Sequence, residues 1–176
     1  MKGWTYLMLV LAAWGCSQAP KGGADRGEVG MHEAAWTGDL GQIQHLIAQG
    51  IPLDTADAQS GDTPLHFAVM FGHTDVAVAL LDAGADLQAR NQDDATPLHM
   101  AAFFCRKDLV QILLDRGADP TATDRHGDTP RQSIERNFTV MSGIYRLIAY
   151  QLGPLGLELD LDAIERDRPV VAAMLP

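Results

Sequence analysis

The sequence predicts an all-α fold in which about four short helix–turn–helix units stack side by side. Three observations carry this. The stretch Gly61-Asp62-Thr63-Pro64-Leu65-His66-Phe67-Ala68 returns 33 residues later as Asp94-Ala95-Thr96-Pro97-Leu98-His99-Met100-Ala101, and again, eroded, as Gly127-Asp128-Thr129-Pro130. A closing phrase keeps the same step, at Gly84-Ala85-Asp86 and Gly117-Ala118-Asp119. Between them lie short apolar segments of helix length, each too small to form a core alone. Units of that kind bury their apolar faces only by stacking on copies of themselves.

The front end reads as an address. Lys2 precedes an apolar run from Trp4 to Trp14, shorter than the roughly 20 residues a bilayer-spanning helix needs but fitting the apolar region of a signal peptide. The run ends at Ala13-Trp14-Gly15-Cys16, which resembles a bacterial lipoprotein signal, with residues 1–15 removed and Cys16 acylated. Two other outcomes stay open: cleavage by an ordinary signal peptidase, leaving a soluble secreted or periplasmic chain, or an uncleaved anchor. Residues 16–28 read as a flexible tether around Pro20-Lys21-Gly22-Gly23, reaching on the order of 20 Å for a coil of this length.

The repeats follow, at about 29–60, 61–93, 94–126 and 127–152. In the second, Thr63 is a favourable N-cap and Pro64 suits the first helical position, where its missing N–H costs nothing. Helix one runs to about Phe71, Gly72-His73-Thr74-Asp75 turns the chain, and Val76 to Leu81 forms helix two. Gly84 stands where a left-handed residue stops the helix, and Asn91, Asp93 and Asp94 form the connecting finger. The third repeat repeats the plan with Thr96, Pro97 and Gly117. It has two departures: Asp94 replaces the finger glycine, and Cys105-Arg106 replaces Gly72-His73. The first repeat looks like a cap, because Gln42, Gln44 and His45 put polar groups on its second helix. In the fourth, residues 136–141 are expected as a lengthened turn and Ser142 to Tyr150 as a late second helix. Leu155, Leu157, Leu159 and Leu161 alternate with Gly or acids, predicting an extended segment laid on the last repeat. Short helical turns through Ile164 and from Pro169 to Leu175 would complete a C-terminal cap, residues 153–176.

A T-P-L-H-x-A signature at this period resembles the ankyrin repeat. The resemblance implies a solenoid with β-turn fingers, working as a protein-binding module rather than an enzyme. It implies that Thr63, Pro64, His66, Thr96, Pro97 and His99 are structural, each histidine bonding a helix start to the neighbouring finger. It also implies a concave groove lined by the positions after the small residues of helix one: Trp36, Met70, Phe71, Phe103 and Phe104, with Arg136 at the end. Such aromatic and Met residues are enriched at interfaces; alternatively the rings fold back onto the next repeat as core. Finger residues Gln59, Asp62, Asp93, Ala95, His126 and Asp128 are expected at the rim.

Composition narrows the partners. A formal net charge of −10 disfavours nucleic acid, which calls for clustered Lys and Arg. Two cysteines cannot build a disulfide framework, and Cys105 has no base placed near it by any local motif. His32, His66 and His99 recur a repeat apart, about 8–10 Å between packed helices, too far to share one ion held at about 2 Å. No metal, cofactor, small-molecule substrate or catalytic residue is expected. The function expected is a lipid-tethered module of the cell envelope, on the periplasmic face of the outer membrane if the host is Gram-negative. The alternatives are an accessory or protective factor for an envelope enzyme, or a structural spacer.

Overall fold

In the computed structural model, which describes residues 30–135 and 138–176, each Thr-Pro pair opens a helix. The leader, Cys16, the tether and Arg136 fall outside the described residues. The helices are α1 (Met31–Thr37), α2 (Leu40–Ala48), α3 (Pro64–Phe71), α4 (Thr74–Asp82), α5 (Pro97–Phe103), α6 (Lys107–Asp115), α7 (Pro130–Glu135), α8 (Phe138–Leu152) and α9 (Leu161–Met174), with a 3₁₀ turn at Gly153–Leu155. No strand occurs among the described residues, and none of their helices is long and apolar enough to cross a membrane.

Two layers result. The first helices α1, α3, α5 and α7 pack in a row, and the second helices α2, α4 and α6 form a parallel row behind them. Thr63 and Thr96 are extended N-caps, with ψ of 167° and 166°, and Pro64 and Pro97 follow at the first turn. All of α3 is buried, from Pro64 to Phe71, as befits a helix with neighbours on every side. Leu65, Leu80, Leu98 and Leu113 are fully buried, each contributing about 1.5–3 kcal/mol in transfer terms. At the first end, α2 buries only Ile43 and Leu46 and leaves Gln44 and His45 exposed, so the stack meets water there.

The far end differs from the expected plan. The sequence pattern puts the second helix of the fourth repeat at about Ser142–Tyr150, but it is α9 that packs against both α6 and α7, in the place an outer helix would take. Helix α8, starting at Phe138, is an insertion, fixed through a buried stripe of Met141, Tyr145, Ile148 and Leu152. The two short turns expected after Asp160 are one continuous helix, Leu161–Met174, with Pro169 inside it. Asp160 caps it by accepting from the backbone N–H of Asp162 and Ala163, both at 3.0 Å. The extended segment expected from Leu155 to Leu161 is shorter: Leu155 lies in the 3₁₀ turn and Leu161 in α9, leaving Leu157 to Asp160 without regular structure, with Leu157 buried and Glu158 exposed.

Candidate functional site

The fingers form one continuous edge. Each finger carries an aspartate or asparagine whose side chain closes its own turn: Asp57 accepts from the N–H of Gln59 and Ser60, and Asp124 from those of His126 and Asp128. Asn91 does the same for Asp93 and Ala95. Short polar side chains bind nearby backbone in this way because the alternative is an unpaired N–H in a tight turn. Adjacent fingers are then joined, Gln92 N–H donating to Ser60 C=O at 3.0 Å and Arg125 N–H to Asp93 C=O at 2.9 Å. Arg90 adds two bonds from one nitrogen, to Asp94 C=O and Thr123 C=O, and Arg125 a side-chain bond to Gln92 C=O.

This edge distributes the expected rim residues unequally. Gln59 and His126 are exposed, and Asp93, Ala95 and Asp128 are half-buried. Asp62 is not on the rim: it is buried and accepts from Asn91 Nδ2 at 2.8 Å. Asp93 pairs with Arg125 at 2.9 Å, yet burial, the larger influence, raises its pKa above the ordinary carboxylate value, with the guanidinium pulling the other way.

Behind the fingers, the histidines hold one repeat to the next. His66 Nδ1 lies 3.2 Å from Thr63 N–H, which can only donate, so Nδ1 carries no proton and Nε2–H donates to Ala95 C=O at 3.1 Å. His99 repeats the geometry with Thr96 N–H and Asp128 C=O. Both rings are buried. Burial lowers the His66 pKa and brings that of His99 down to about 4, so both stay neutral at physiological pH.

The expected groove column requires a correction. Trp36, Met70, Phe71, Phe103 and Phe104 are between 4% and 9% exposed, so they do not form an open patch. The rings pack edge-on: Trp36 on Phe67 of the next repeat at 5.9 Å, and Phe103 on its sequence neighbour Phe104 at 5.0 Å. Tyr145 from α8 lies over Phe103 at 5.0 Å, and its hydroxyl donates to Phe103 C=O at 2.6 Å. Ring faces filled this way contribute to the core.

Sequence reasoning missed a second ladder, at the turns. His73 Nε2 bonds Trp36 C=O at 2.8 Å, and one repeat later Arg106 Nη2 donates to Met70 C=O at 3.1 Å. The signal was available: His73 and Arg106 are 33 residues apart, each a donor following a left-handed residue. Each lies over the turn residue of the preceding repeat. A Cβ on Gly38 would stand 2.6 Å from His73 Nδ1, and one on Gly72 would stand 3.0 Å from Arg106 Cζ. Cys105, the next in line, has φ +52° and a side chain, and what approaches it is Ile164 C=O of α9, 3.8 Å from Sγ. Its thiol is buried, which pushes the pKa up to about 11, the opposite of a nucleophile's environment.

Among the described residues, no three His, Cys, Asp or Glu side chains converge as a metal site. The arrangement offers an edge of fingers joined by backbone and side-chain hydrogen bonds.

Comparison with known proteins places this geometry. A model of ankyrin repeats in three copies matches residues 31–124. Human protein phosphatase 1 regulatory subunit 27 is 37% identical over 67 residues, 38% of this chain and 43% of that protein. Human inversin is 44% identical over 57 residues, 32% of this chain and 5% of inversin. The neurogenic locus Notch protein of Drosophila melanogaster is 39% identical over 70 residues, 40% of this chain and 2% of Notch. The chain thus spans less than half the length of each of these relatives.

Proposed function

The chain belongs to the ankyrin-repeat family, and on that premise we propose that it captures a protein partner along the edge formed by its fingers. The observation that carries the reading is the backbone joining of successive fingers, Gln92 to Ser60 and Arg125 to Asp93. It makes one preformed surface from three loops, with Gln59, Gln92, Asp94 and His126 exposed along it. A surface that needs no ordering on binding loses little conformational entropy, so a modest contact area suffices. The module is held at a membrane by lipid on Cys16, with the tether allowing it to turn; two or more acyl chains make such anchoring stable. The leader run and Ala13-Trp14-Gly15-Cys16 support this part.

A partner that is itself an enzyme is favoured by the relatives that are regulatory subunits of a phosphatase, and this keeps the accessory-factor reading as the second one.

The test is site-specific photocrosslinking in the full chain, with the photoreactive residue at position 59, 126 or, as control, 111 on the exposed face of α6. Crosslinks to one protein from positions 59 and 126 but not 111 are expected. Crosslinks from 111 alone would overturn the reading. For the anchor, Cys16→Ser should abolish incorporation of labelled palmitate and release the chain from membranes; retention of both contradicts it.

A further inference from the structure

The inward face of α9 is made of Ile164, Arg168 and Val171, at the spacing of one helical stripe, and Leu175 follows in extended conformation just past its end, all four buried. One of these four anchors is an arginine. It is hydrogen-bonded to the Tyr145 hydroxyl, whose own proton goes to Phe103 C=O. The guanidinium thus keeps a partner but loses its hydration, and a buried charge of this kind returns much of that cost when it reaches water. The fastenings around it are slight. Lys107 pairs with Asp167 at 3.2 Å, with the lysine side chain 44% exposed. Arg131 reaches Leu175 C=O at 3.2 Å, Arg106 reaches Glu158 C=O at 3.5 Å, and Cys105 Sγ reaches Ile164 C=O at 3.8 Å. Pro169 inside the helix cannot donate to the carbonyl four residues back, which removes one internal bond. The segment joins α8 through Gly153-Pro154-Leu155-Gly156, a single 3₁₀ turn between two glycines. Helix α3, in contrast, is buried along its whole length.

We propose that residues 156–176, carried by α9, form a hinged cover that swings off the third repeat while the first three repeats stay folded. Opening hydrates Arg168 at the loss of its bond to the Tyr145 hydroxyl, withdraws the buried Leu157, Ile164, Val171 and Leu175, and otherwise breaks contacts of small individual strength. It uncovers the Cys105 thiol at the turn of the third repeat. Because that thiol is sealed when the cover is closed, its alkylation reports the opening directly. This inference is independent of the finger edge and stands or falls by itself.

The experiment is timed alkylation of the reduced full chain with N-ethylmaleimide under native conditions, read by mass spectrometry on the tryptic peptide Asn91–Arg106, which separates Cys105 from Cys16. Global unfolding is measured on the same sample by urea titration. The expected result is labelling about a hundredfold or more faster than global unfolding permits, because openings of one unit lie below the global free energy. Lys107→Glu should speed labelling about two- to fivefold, the worth of one exposed ion pair, and Lys107→Glu with Asp167→Lys should restore the slower rate. Labelling that matches the global unfolding constant, with the same urea dependence, would overturn the proposal in the unmodified chain, whatever the variants do.

Discussion

The turn of the second repeat and the turn of the third occupy equivalent places and are built from different residues. Gly72 is left-handed, with φ +81°, and lies beneath the guanidinium of Arg106. Cys105 is also left-handed, at +52°, but the element that comes next in space is the α9 backbone at Ile164 rather than another turn side chain. The same contrast separates the fingers. A Cβ at Gly61 would lie 2.8 Å from the Gln92 backbone nitrogen, whereas its counterpart in the third repeat is Asp94, at φ +55°. At Gly61 and Gly72, glycine is therefore demanded by what the following repeat lays on the turn as well as by the turn itself. The left-handed conformation alone costs an ordinary residue about 1–2 kcal/mol; a clash with the next repeat adds to it.

The largest test of the packing behind this contrast is the double substitution Phe71→Ala with Phe104→Ala. Each removes a buried ring, at about 3–5 kcal/mol, and together they approach the whole stability of a small domain. Urea titration should show the cooperative transition lost or shifted by roughly 6–10 kcal/mol. A near-normal midpoint would mean that these rings are surface residues after all.

A second way to press the comparison is Gly38→Val. The new side chain meets the His73 ring and breaks its bond to Trp36 C=O, at about 3 kcal/mol including backbone strain. Gly84→Ala, at a left-handed glycine with no atom within 4 Å of its would-be Cβ, should lose only the strain, about 1–2 kcal/mol. Equal losses at the two sites would erase the distinction.

Acid supplies a test of similar size. His99 has an ordinary pKa of 6.5 when unfolded and about 4 when folded, and burial lowers that of His66 as well. The unfolded chain therefore binds protons first. The stability these neutral rings carry is complete above pH 6.5 and is lost as pH falls from there towards 4, on the order of 2–3 kcal/mol for His99. Urea midpoints measured between pH 7 and pH 4.5 should fall steadily, with a shallower slope in His99→Gln. A flat profile over that interval would contradict the hydrogen-bonding assigned to Nδ1.

The smallest effect is expected at the rim. Gln59→Ala and His126→Ala alter exposed side chains and should change stability by less than about 0.5 kcal/mol, while weakening capture of the crosslinked partner. A substantial loss of stability would show that the finger edge is structural.

Much of the fold was legible because a period, a cap pair and a stop glycine all point to one architecture: Thr63-Pro64 and Thr96-Pro97 open helices where the sequence places them. The site was less so. Trp36 and Phe103 occupy positions whose exposure depends on Phe67 and Tyr145, and no local pattern reports what a residue 31 or 42 places away will cover. Asp62 reads as a rim acid until Asn91 closes over it. The role of α9 was hidden twice, since Arg168 interrupts its apolar stripe and Pro169 reads as a helix break.

The most direct measurement is a reciprocal exchange at the two turns, Gly72→Cys against Cys105→Gly, each followed by urea titration under reducing conditions. If the following repeat dictates the residue, Gly72→Cys loses about 2–3 kcal/mol through strain and displacement of Arg106, while Cys105→Gly stays within about 1 kcal/mol of the parent. Equal losses in both, or a Gly72→Cys chain as stable as the parent, would contradict the account.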